Sequence, residues 1–295
     1  MNHSKPNYLS LDRISGKLIR EIREAKGYTQ KYVAQGTMRQ STYSKIEREE
    51  TEPSASKLFL ILDRLEMTPE EFLFIQGNYT HTKKGNIMYK FINQKYNLPH
   101  VLEELKAEVD EYLKENNDTI IKDIQSIYKG LIIFSNTSDI KLTRQFVEPV
   151  WKRIEAFDEW RLTELYLVNN ILYLFSAESA IHIANRAIQQ LQKYTGFQVS
   201  TTLKFNFKFN LVYLFMDNQQ YDRALSTLDD LIPDTKELKK HDMLAVCYVR
   251  KGIALLQSGE ENGQELIDKG LFMLEVIEEL ELKRLIEQEM QSFLK

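Results

Sequence analysis

From residue 16 almost to its end, this chain repeats apolar residues three and four apart, and it does so with only 11 glycines and 6 prolines in 295 residues. That spacing is the period of one helix face, whereas a half-buried strand would alternate strictly. An all-α protein is therefore expected. The length is enough for two cores, a small head and a larger body.

A slower period lies over the helical one in the second half. The strings NILYLF at 170–175, NLVYLF at 210–215 and KGIALL at 251–256 recur at spacings of 40 and 41, each followed by a polar turn and a second helical pattern. Two helices per unit of about 40 residues is the signature of a tetratricopeptide-like solenoid, an array of stacked helix pairs, although the strict repeat consensus is absent. Further helices are expected over Pro99–Lys114, Asp118–Phe134 and Thr143–Phe157. Such stacks present a concave surface lined by the first helix of each pair, and such surfaces bind peptides.

On the expected inner helices stand Asn169, Asn170, Lys204, Asn206, Lys208, Asn210, Arg250 and Lys251, interspersed with Tyr166, Tyr173, Phe207 and Tyr213. An asparagine can donate to and accept from an extended backbone at once. The aromatics would supply apolar pockets and the cations a grip on a carboxylate. The same aromatics also read as inter-repeat core, and Arg250 as the partner of a nearby acid.

The first 75 residues are punctuated differently. A helix ending at Gly27, a short one from Thr29 closed by Gly36, a third from about Arg39 to Arg48, a fourth from Ser56 to Leu65 and a fifth opened by Thr68 and Pro69 make five short helices. The net charge of −4 hides an asymmetry: residues 1–48 hold ten Lys and Arg against four Asp and Glu, and residues 49–76 two against seven. Only the first stretch can face phosphate. Residues 76–86 lose the apolar period and collect glycine and polar side chains, so they are expected as a linker. Expected boundaries are 12–75 for the head, 76–86 for the linker and 87–295 for the repeats.

The run from Ile19 to Gln30 (IREIREAKGYTQ), followed by Ser44–Arg48 (SKIER) and Pro53–Ser54, resembles the Cro/C1 or XRE type of helix-turn-helix domain across all five helices. The resemblance implies that the third helix enters the major groove with its amino-terminal residues toward base edges. Gln40, Ser41 and Arg39 are then expected to read bases, since glutamine can bond adenine, and arginine guanine, through two points. Gln30, Thr42 and Lys45 are expected on phosphate. Arg23 and Glu47 match positions that form an internal ion pair in such domains.

The turn between Ala34 and Tyr43 is a residue shorter than in most XRE heads. With the linker, about 210 residues of degenerate repeats, and the stretches FDEW at 157–160, ELYLVNN at 164–170 and LKFN at 203–206, the whole chain resembles the Rgg family of transcriptional regulators. That resemblance implies a cytoplasmic homodimer and a groove for a short hydrophobic signalling peptide in which Asn170 and Asn206 take part. Asn210, Tyr173, Tyr213 and Arg250 join the expected groove from their places on the inner helices. Expected partners are double-stranded DNA at a two-fold operator, the peptide, a second copy of the chain and, as a further candidate, RNA polymerase. A membrane is not expected, because the longest apolar runs are far too short to span a bilayer of roughly 30 Å.

No cofactor or metal is expected. The single Cys247 cannot form an intramolecular disulfide and reads as a small buried apolar residue. The five histidines are scattered, and no phosphate loop or nucleophile elbow appears, so an enzyme is not expected. A different class stays open from the residues: a DNA-anchored helical scaffold whose ligand is a partner protein.

Overall fold

The computed structural model of the protein describes residues 13–94, 97–137 and 139–294, and among these helices are joined by turns without a strand. Compact packing divides the chain after Phe91.

The first unit opens with α1 (Gly16–Ala25), α2 (Gln30–Ala34), α3 (Gln40–Glu47), α4 (Ala55–Arg64) and α5 (Pro69–Gln76). Side-chain caps set four of the starts: the oxygens of Ser15, Thr29, Ser54 and Thr68 accept the amides of Leu18, Tyr32, Lys57 and Glu71. Each satisfies an amide that the first helical turn leaves without a partner. Gly27 ends α1 at φ +70°, a conformation that costs a residue with a Cβ far more. The core is Ile19, Val33, Ala34, Tyr43, Ile46, Ile61, Leu62, Leu65 and Phe72. Tyr43 and Ile46 belong to α3, so that helix turns one face inward and leaves its other side to solvent.

Two sequence boundaries are corrected here. Arg39 lies just outside α3, as its N-cap. The stretch 76–86 is not linker throughout, because α6 (Lys83–Asn93) begins inside it and the compact break falls after Phe91 instead of at residue 87. The cause is an aromatic stack that composition did not reveal. His81 lies 5.3 Å from the Phe74 ring of α5 and 5.1 Å from Tyr89 of α6, drawing the start of α6 back onto the head. The expected head start at residue 12 lies outside the described residues.

The second unit contains α7 (Pro99–Glu115), α8 (Thr119–Thr137), α9 (Ile140–Glu155), α10 (Leu162–Ile171), α11 (Ala177–Gln192), α12 (Gln198–Asp217), α13 (Tyr221–Glu237), α14 (His241–Gln257), α15 (Gly263–Val276) and α16 (Leu280–Phe293). Helix α9 starts three residues before the expected Thr143, because the Asp139 carboxylate caps it by accepting the Leu142 amide at 2.9 Å. The three repeat strings fall at the end of α10, in α12 and in α14, each followed by its second helix. They are not equivalent in detail. The first string breaks into a 3-10 turn, Leu172–Leu174, two residues before the Ser176 cap of α11, whereas α12 runs unbroken for 20 residues.

The 40-residue period is visible as contacts between successive inner helices. Asn210 of α12 donates to Asn169 of α10, 41 residues earlier, and Arg250 of α14 donates to the Phe209 carbonyl, again 41 residues earlier. Arg250 also reaches Glu289 of α16, 39 residues on. Helices α14 and α15 approach closely at their glycines. A Cβ on Gly270 of α15 would stand 2.5 Å from the Ala245 carbonyl oxygen, and one on Gly252 of α14 would run into the Gly263 carbonyl.

Candidate nucleic-acid interface and concave face

Helix α3 is oriented by one carboxylate. Glu47, its last residue, has a side chain only 1% exposed. It accepts Nε of Arg23 at 2.6 Å and Nη2 at 3.0 Å, while Gln30 Nε2 donates to the same carboxylate at 2.7 Å. Arg23 comes from α1 and also donates to the Tyr28 carbonyl at 2.9 Å; Gln30 opens α2. Three helices therefore meet on one buried acid. Burial alone would raise the Glu47 carboxyl, but the hydrogen bonds from Arg23 and Gln30 outweigh it and hold the group below its ordinary value. Burial beside that carboxylate pushes the Tyr43 hydroxyl up.

The Arg23 and Glu47 side chains thus meet inside the head. Gln30, read from the sequence as a phosphate contact, has an internal partner instead: its amide is drawn to the strongest acceptor within reach. Gln40, Ser41 and Lys45 lie exposed on the outer side of α3, Arg39 is exposed at its start, and Thr42 is half-buried.

The distribution of unpaired charge adds residues that the sequence reading missed. In the head Arg13, Lys17, Arg20, Lys26 and Arg48 each face a carboxylate, on Glu52, Glu21, Glu24, Glu66 and Glu50. Arg64 donates to the Gln35 carbonyl. Among the described head residues Lys31 of α2, Arg39, Lys45 and Lys57 of α4 have no acidic partner. The signal was in the sequence, since neither Lys31 nor Lys57 has a carboxylate three or four residues away on its own helix. These cations stand on α2, at either end of α3 and in the first turn of α4.

In the second unit the expected groove residues stand on α10, the 3-10 turn Leu172–Leu174, α12 and α14, and not all are free. Asn170 donates to the Tyr166 carbonyl of its own helix at 2.9 Å. Asn210 donates to the Asn169 carbonyl at 3.2 Å and to its Oδ1 at 3.1 Å. Asn206 is half-buried and, among the described residues, its side chain has no hydrogen-bond partner. The Tyr173 ring packs 5.0 Å from Phe134, and its hydroxyl is buried without a partner, which pushes its pKa up. Tyr213 lies 6.0 Å from the Phe293 ring.

Arg250, read as a grip on a ligand carboxylate, is instead buried and bound on both arms to Glu289, at 2.7 and 2.9 Å. Burial pushes the Cys247 thiol up to about 12, as fits an inert apolar position. Among the described residues no helix is long and apolar enough to cross a membrane.

A family model described as helix-turn-helix matches residues 19–72, and one described as the C-terminal domain of the HTH-type transcriptional regulator Rgg matches residues 100–288, well over half the chain. Three solved structures share the fold over nearly their whole length. A candidate transcriptional regulator from Listeria monocytogenes EGD-e is 20% identical, with 96% of this chain and 97% of that one covered and a TM-score of 0.77. The SHP pheromone receptor Rgg2 of Streptococcus dysgalactiae is 15% identical over 95% of this chain and 100% of its own, at 0.67. Bacillus thuringiensis PlcR, in complex with the peptide PapR7 and DNA, is 15% identical over 95% and 98%, at 0.65. With the Rgg-specific model spanning the repeat unit and a helix-turn-helix model matched to the head, the chain belongs to the Rgg family of helix-turn-helix transcriptional regulators.

Proposed function

We propose that this chain is a cytoplasmic, homodimeric regulator that reads an operator with α3 and senses a short hydrophobic peptide on the concave face of its repeats. The observation that carries the reading is the pairing of a rigidly held, polar-fronted α3 with four free cations around it. Gln40, Ser41 and Arg39 take the base-reading role, and Lys45, Lys31 and Lys57 take phosphate together with Thr42. Gln30 contributes by holding Glu47. Replacing Gln40 and Ser41 together by alanine should lower affinity for the operator by roughly 10- to 100-fold, with affinity for unrelated DNA unchanged. Gel-shift titration on both DNAs checks this, and undiminished operator preference would remove the assignment.

Peptide sensing draws support from the polar groups that the inner helices leave unsatisfied, Asn206 and the Tyr173 hydroxyl, since such groups among packed apolar residues need partners. It also fits the fold shared with a pheromone receptor and with a peptide-bound regulator. Asn206→Ala should weaken binding of short apolar peptides in calorimetric titration by about tenfold while leaving the melting temperature in place. A fall in stability with unchanged affinity would make Asn206 a packing residue.

The dimer follows from the short reach of one reading helix, which two copies one helical turn apart would double. An apolar patch on the last repeat suits that role: Phe272 is 66%, Val276 62% and Leu280 53% exposed, with the first two one turn apart on α15. Phe272→Asp with Val276→Asp should convert a dimer to a monomer at micromolar concentration in sedimentation. Retention of the dimer would place the interface elsewhere.

A further inference from the structure

We propose that Arg250 is a carboxylate site which the protein fills with its own Glu289, so that the concave face takes an uncharged apolar peptide segment and ignores the charge of the peptide's carboxyl end. The inference rests on the peptide-binding reading and specifies the ligand class that such a face accepts.

Arg250 is the one cation that α10, α12, α14 and α16 place on that side among the described residues. Successive helical residues are 100° apart, so Thr202, Asn206, Asn210 and Tyr213 share one side of α12, and Lys204 and Lys208, each two residues from Asn206, lie on the opposite side. There the Lys208 ammonium is 3.9 Å from both Asp230 and Asp234 of α13. Lys251, one residue past Arg250, binds Asp229 of α13 at 2.5 Å. On α16 Lys283 binds Glu275, and Arg284 lies about 140° around the helix from Glu289. Helix α10 carries neither lysine nor arginine.

The carboxylate-binding fork of Arg250 is already taken. Its Nε and Nη2 hold the two Glu289 oxygens, its Nη1 donates to the Phe209 carbonyl at 3.3 Å, and its plane lies against the Phe209 and Tyr213 rings at 4.4 and 5.5 Å. The residue is 6% exposed. This fork-to-fork pairing, flanked by aromatic rings, is the geometry in which arginine recognises a carboxylate. A carboxylate tethered to the same chain has an effective concentration on the order of millimolar or above, against which a peptide at micromolar concentration does not compete. What remains for a ligand is neutral: the Asn206 amide, the Asn170 Oδ1, the second lone pair of the Asn169 Oδ1 and the aromatic rings.

The full-length protein tests this with two probes. The first is formate, followed by thermal unfolding against chloride at equal ionic strength. Formate should leave the wild-type midpoint unchanged, and it should raise the lowered midpoint of Glu289→Ala by entering the vacated fork; Glu289→Ser, which also opens the fork, serves if the alanine variant does not fold. A wild-type protein that formate stabilises as strongly as the variant, or variants that formate does not lift, would overturn the proposal. The second probe is a pool of heptapeptides built from Leu, Ile, Val and Phe, made as free acids and as carboxyl-terminal amides. Affinities equal within twofold are expected, and a tenfold preference for the acids would again overturn it. Binding by neither form, with the formate pattern intact, would count against peptide sensing and leave the filled carboxylate site standing.

Discussion

Replacing Glu47 by alanine is expected to destabilise the head by about 3 kcal/mol, because it leaves the buried Arg23 guanidinium with only the half-exposed Glu24 carboxylate, 3.2 Å away, as counter-charge. The same change frees Gln30 and with it the start of α2, so three helices lose their common partner. Chemical denaturation should show the transition of the first unit moving to much lower denaturant while that of the repeats stays, and operator binding should fall with it. The pH dependence has a defined sign. The folded Glu47 carboxyl lies below its ordinary value of 4.5, so its contribution is fully present above that value and is lost as pH falls through the depressed folded value. The wild-type head should therefore weaken in acid, whereas Glu47→Gln should start less stable and change less over the same range. A head whose stability ignores the loss of Glu47 would mean that α3 is oriented by core packing alone.

The second large effect belongs to the last repeat. Gly270→Ala should destabilise it by about 1–3 kcal/mol, toward the upper end, since the new methyl would lie 2.5 Å from the Ala245 carbonyl oxygen and 2.6 Å from Val249 Cγ2. A clash with a flexible side chain can be relieved by a rotamer change; one with a helix carbonyl requires α14 and α15 to separate. Gly259→Ala is the control: it sits at φ +88° with nothing within 4 Å, so its cost is the left-handed backbone alone, about 1–2 kcal/mol. Because stability in a stacked array is close to a sum over neighbours, the Gly270 variant should lose amide-exchange protection first across residues 241–276, with the head unaffected. Equal protection in the two variants would argue against close helix approach.

Helices were legible in the sequence because capping residues and apolar spacing are local. Thr29 and Thr68 cap where they were expected. The 40-residue period was legible too, since it recurs. What did not show was partnership at a distance. Nothing near Arg250 in sequence announces Glu289, and nothing near Gln30 announces Glu47; both pairings depend on which helix faces come together. The same holds for the junction after the head, where glycine and polar residues pointed to a linker while the ring stack of Phe74, His81 and Tyr89 folded part of it into a helix. The 3-10 turn at Leu172–Leu174 escaped notice because its apolar string matches that of α12, which continues as a helix.

The contacts that join Asn169 to Asn210, Phe209 to Arg250 and Arg250 to Glu289 fix a count of residues more than their identities. One residue inserted in α12 ahead of Asn210 would turn that side chain by about 100° and carry it away from Asn169, a fault that no exchange of side chains at the rung repairs. Such an array can drift far in sequence while its spacing stays put. Chains 15–20% identical to this one can therefore still align with it nearly end to end.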